Sequence, residues 1–89
     1  MKMYSVYDSK AQAYGLPFHQ RTNGEALRSF ADLSNDNQST VSKHPEDYTL
    51  FFLGEFDEVT GLVKSEATPA PLGKAIEYKS QDGLRAVGA

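Results

Sequence analysis

The chain has 89 residues, no cysteine, and a net charge of −3 from nine basic and twelve acidic side chains. That length holds one domain, and the lack of cysteine excludes a disulfide framework and a thiolate metal site. No apolar run approaches the ~20 residues of a membrane span, no signal peptide is expected after Met1-Lys2-Met3, and the acidic balance argues against tight non-specific duplex binding, which rests on many phosphate contacts.

Residues 1–8, MKMYSVYD, alternate loosely and are rich in Tyr and Val, which predicts a strand. Met3, Ser5 and Tyr7 share one face of it, and Lys2, Tyr4 and Val6 the other. Asp8-Ser9-Lys10 has turn chemistry. Residues 11–18, AQAYGLPF, predict a partner strand, interrupted by Gly15 and Pro17 as at an edge or a bulge. Thr22 and Glu25 stand at capping-box spacing. Ala26, Leu27, Phe30, Ala31 and Leu33 follow at helical spacing, which predicts a helix over residues 23–34. Its apolar stripe would face the sheet, with Arg28, Ser29 and Asp32 outward. Asn35-Asp36-Asn37-Gln38 stops it, because short polar side chains compete for backbone hydrogen bonds. Residues 39–47 form a connection in which Pro45 pushes His44 out of helical geometry.

Residues 48–61, YTLFFLGEFDEVTG, are the longest apolar run, and the chain is organised around them. Leu50, Phe52 and Phe56 alternate with Phe51, Leu53 and Glu55, so a strand here carries apolar groups on both faces. Such a strand is central and covered twice, or half-covered with a sticky outer surface. Asp57 to Gly61 supply a turn, with a return strand expected over residues 62–66. At residue 67 the composition shifts. Residues 67–71, ATPAP, suggest an extended linker, and residues 67–89 a Pro-containing linker and partly disordered tail behind a single domain of residues 1–66.

Strand, strand, helix, strand, strand is an α+β order: a small, mainly antiparallel sheet with one packed helix. One helix covers one face. The second face would carry several of Tyr4, Tyr7, Tyr14, Phe18, Phe51 and Phe52, depending on register. A second copy of the chain or unstacked nucleic-acid bases would cover it.

No pattern of residues points to an enzyme, a cofactor or a metal. His19 and His44 lie on separate loops without convergent ligands. Glu55 and Asp57 share a strand face and could hold a hard cation, although turns use such residues routinely. Ser5, Ser29 and Ser42 stand in no nucleophile motif, and there is no glycine-rich phosphate loop. A binding surface has more support. Lys2, Tyr4, Tyr7, Lys10, Tyr14 and Phe18, followed by Arg21, interleave cations with rings, as single-strand binding requires: cations meet phosphates and rings stack on bases. Arg28 and Lys43 complete the candidate set. Aromatic residues on strands of a small domain usually serve as core or dimer interface.

The segments YSVYD (4–8), KAQAYG (10–15), Pro17-Phe18, Arg28-Ser29-Phe30, Asp32-Leu33, VSKHPEDY (41–48), LGEFD (53–57) and Thr60-Gly61 follow one another in this order. In them the chain resembles the small nonstructural protein of gokushoviruses, the microvirus branch of tailless phages with circular single-stranded DNA genomes. The resemblance covers about residues 1–66; SKHPEDY with LGEFD at this spacing is its most specific part. It implies a non-enzymatic protein of the host bacterial cytoplasm that binds single-stranded viral DNA during genome replication or packaging. A homodimer or small homo-oligomer is expected, with no membrane association. The resemblance transfers no contact residues, so the candidate set rests on the aromatic and basic pattern. Two other readings stay open: a module that modulates a replication factor without touching DNA, and a metal-dependent nuclease using Glu55 and Asp57.

Overall fold

Two long neighbouring strands carry the fold of this computed structural model, which describes residues 1–80. In chain order the elements are β1 (Lys2–Asp8), β2 (Ala13–Tyr14), β3 (Phe18–Gln20), α1 (Asn23–Asn35), α2 (Thr40–Lys43), a 3-10 turn (Pro45–Asp47), β4 (Tyr48–Phe56), β5 (Val63–Lys74) and α3 (Ala75–Tyr78). The sheet runs β2-β1-β4-β5, with β3 also on β1, and every pairing is antiparallel. The expected α+β architecture is therefore present, with β1 and β4 at its centre.

The interrupted partner strand becomes two short strands on one side of β1. Tyr7 pairs with Tyr14, and Met3 and Tyr4 pair with His19 and Phe18. Gly15 and Pro17 stand in the gap, where Pro17 has no N–H to give a ladder. The Gly15 N–H still donates to the Val6 carbonyl at 2.9 Å, which keeps the chain against β1 across the break.

Helix α1 begins at Thr22, whose Oγ1 accepts from the Glu25 N–H at 3.1 Å. The Glu25 carboxylate returns to the Thr22 hydroxyl at 3.5 Å rather than to its backbone, so half of the capping box forms. The buried stripe is Ala26, Phe30 and Ser34, one every four residues. Leu33, expected inside, is 38% exposed. Ser34 takes the inner position because its hydroxyl donates to the Phe30 carbonyl at 2.7 Å and leaves no polar atom unpaired.

The core cluster of the described residues lies on the helix side of the sheet: Tyr4, Ala26, Phe30, Val41, Leu50 and Ala75. Ala75 comes from the stretch expected to be linker, and that expectation needs correction. Strand β5 continues to Lys74, through both prolines. Among the described residues it pairs only with β4, so a proline nitrogen can turn to the open edge without costing a ladder bond. Between the Gly54–Ser65 and Phe52–Ala70 pairs, β5 carries four residues against one in β4, a wide bulge that absorbs Pro69. Then α3 closes the core. Tyr78 packs edge-on to Phe30 at 6.1 Å, and the Lys79 ammonium donates to the Ser42 carbonyl and hydroxyl at 2.6 and 2.7 Å. Residues 81–89, the rest of the expected tail, lie outside the described residues.

Candidate nucleic-acid interface

Strand alternation sorts the aromatic residues onto two faces. Tyr4 belongs to the helix side. It has no exposed surface, its hydroxyl donates to the Asn23 side-chain oxygen at 2.7 Å, and its ring lies 5.7 Å from those of Phe18 and Phe52. Burial pushes its phenol up from the ordinary tyrosine range, and the Glu25 and Glu55 carboxylates add to this. Tyr4 is thus a core residue, and its place in the candidate set is corrected: no base can reach the ring. Phe18 is half-buried on the same side. The Lys2 ammonium lies 6.0 Å from the centre of the Phe52 ring there.

The outer face holds the other group. Tyr7 and Tyr14 are 4.7 Å apart, Tyr14 and Phe51 5.4 Å, and Tyr7 and Phe51 6.1 Å. Tyr14 is 46% exposed. Beneath this triad the buried Ser5 hydroxyl donates to the Gly15 carbonyl at 2.6 Å and so fixes the β2 approach. Pairing register sets Tyr14, Tyr7, Thr49 and Lys74 in one row across four strands. His19, opposite Met3, lies toward the other end with its ring 6.1 Å from Phe56. None of the paired outer positions carries a carboxylate, and Lys74 and His19 are the basic residues there.

The candidate set therefore splits. Tyr7 and Tyr14 come together; Lys2, Tyr4 and Phe18 meet on the opposite face. Lys10 sits exposed in the turn after β1, near the triad in sequence. Arg21 shares a cleft with Lys2, Glu55 and Glu58. Arg28 and Lys43 are exposed on α1 and α2, away from the triad's strands. Sequence reasoning left Phe51, Phe56, His19 and Lys74 out of the set. The signal available was the alternation that puts Tyr7 opposite Tyr4; carrying it to β4 and β5 needs a register that bulges interrupt.

The acidic residues do turn work. One Asp57 carboxylate oxygen accepts from the Val59 and Thr60 N–H groups at 2.8 and 3.2 Å, which holds its carboxyl below the usual range. Glu55 stands between Lys2 and Lys64 on the helix side. Another cluster was missed: His44, Glu46 and Asp47 can bring ligand atoms within 4.8 Å of one another. It offers three ligands from a single turn around Pro45, two of them on exposed residues.

Residues 1–78 match the family described as phage ORF5 protein. Protein ORF5 of Chlamydia phage 1 is 34% identical over 65 residues, with 68% of each chain covered. No solved structure matches the chain. The family match takes in β5 and α3 as well as the segments that carried the resemblance. The chain therefore belongs to the phage ORF5 proteins, small nonstructural proteins of gokushovirus phages.

Proposed function

We propose that this phage ORF5 protein binds single-stranded DNA on the outer face of its sheet, without catalysis, inside the infected bacterium, in genome replication or packaging. One observation carries this reading: Tyr7, Tyr14 and Phe51 form an accessible ring cluster on a face whose paired positions hold no carboxylate. Stacking contributes about 1–3 kcal/mol per base and tolerates any sequence. The net charge of −3 does not by itself oppose it, because no carboxylate occupies a paired position on that face. Lys74, in the row of Tyr7, and Lys10, exposed in the turn after β1, supply the cations this reading needs for phosphates. No helix among the described residues is long and apolar enough to cross a membrane.

The test is a fluorescent ~30-nucleotide single strand against the same length of duplex, across a salt series. Preference for the single strand, with a shallow salt slope, is the expected result. Tyr14→Ala should weaken binding about tenfold, the worth of one stacked base, with the fold intact. Absence of binding at low salt overturns the reading. It would favour the runner-up, a protein-interaction module, for which the apolar groove of about 210 Å³ lined by Val6, Phe18, Phe30 and Leu33 is the supporting observation.

A further inference from the structure

The outer face carries a second pair of rings that the triad does not include. His19 is exposed on β3, and its ring meets Phe56, the last residue of β4, at 6.1 Å. Met3 is paired with His19, and Tyr7 with Tyr14. Four residue steps along β1 separate these rows, about 14 Å at the rise of a strand. Between the rows the paired outer positions are Ser5, Phe51 and Pro71, and Met3, Gly54 and Ser65 share the row of His19, all uncharged. Glu58, at the far end, is paired with the N-terminal ammonium at 3.5 Å.

A nucleotide adds six backbone bonds. Three bonds separate successive Cα atoms by 3.8 Å, so six span about 6–7 Å when extended. The two ring groups are then roughly two nucleotide steps apart. With no carboxylate at the paired positions along the way and Lys74 at one end, this stretch holds no paired group that would repel a polyanion.

We propose that a single DNA strand runs along β1 and β4, stacking one base on Tyr7, Tyr14 and Phe51 and another on His19 and Phe56. This rests on the single-strand reading above, and names the path and the second contact. A strand of about four nucleotides reaches both ring groups; a dinucleotide reaches one.

The experiment titrates oligothymidylates of two, four and eight nucleotides at low salt, with wild-type protein, Tyr14→Ala and His19→Ala. Aromatic-ring proton shifts and affinity are followed together, and circular dichroism checks each variant's fold. The dinucleotide should shift the rings of the triad alone. The octamer should also shift those of His19 and Phe56 and bind about tenfold more tightly. His19→Ala should remove that gain and leave dinucleotide binding unchanged, while Tyr14→Ala weakens every length. If His19→Ala binds the octamer like wild type while Tyr14→Ala does not, the path avoids His19 and the inference is overturned. If wild-type protein binds no length, the single-strand reading itself fails.

Discussion

Tyr4 shows how one residue can look like a ligand contact and serve as core. Its neighbours Lys2 and Tyr7 make the segment resemble a stacking strand, but alternation turns the Tyr4 ring toward α1. Tyr4→Ala should cost about 3–5 kcal/mol as a large-to-small core change, read by thermal melting, and should not be used as a binding probe. Tyr4→Phe should cost about 1 kcal/mol for the hydrogen bond to Asn23. The raised phenol also sets a pH dependence. A group whose folded pKa lies above its unfolded value stabilises below the unfolded value, and that contribution is lost as pH rises through the folded one. The melting midpoint should therefore fall above pH ~10, and Tyr4→Phe should reduce this fall. An unchanged alkaline slope in Tyr4→Phe would show that other groups cause it. Gly54 is constrained differently. Its φ is +151°, and a Cβ there would run into the Lys64 carbonyl oxygen. Gly54→Ala should cost about 2 kcal/mol or more, since neither strand can move without breaking the bulge. Native-like stability in denaturant would contradict the tight approach of β5.

At the level of elements, β5 and α3 are the parts that composition misread. Proline and alanine signal an open linker, yet an edge strand tolerates both because one of its sides has no ladder to satisfy. Chain stopped after residue 66 should fail to fold, because it lacks the Phe51–Pro71 and Phe52–Ala70 pairings and the buried Ala75. Native-like circular dichroism from that truncation would count against this. A milder test is Lys79→Met, which keeps the aliphatic stem and removes the hydrogen bonds to Ser42. The expected loss is about 1–2 kcal/mol, with α3 loosening first, visible as faster amide exchange at Ala75–Tyr78.

For the whole molecule, the sheet has one covered face, one uncovered face and two guarded edges. β5 is guarded by Pro69, Pro71 and the wide bulge, and the other edge is broken between β2 and β3. Self-association would therefore use the outer face, the same one proposed for DNA. Light scattering at tens of micromolar should give a mass above the monomer that falls when single-stranded DNA is added. A mass that stays at the monomer value without DNA would rule out this competition and leave the face to its ligand alone.

Local chemistry was enough for several features. The capping threonine, the helical spacing after it, the alternation of β1, the break at Gly15 and Pro17, and the two-sided apolar β4 all depend on neighbours in sequence. They could be read before any fold was known. So could the family, because its motifs are strings of residues. What sequence left undecided depends on pairing between distant strands. A bulge of one residue changes which of Phe51 and Phe52 faces outward, and no local rule fixes its place. Whether ATPAP is a linker or an edge strand depends on β4 lying beside it. The same register carries Lys74 and His19 onto the face of Tyr7 and Tyr14, and turns Tyr4 inward. Composition could show that rings and cations were available, but only tertiary pairing decided which of them share a surface.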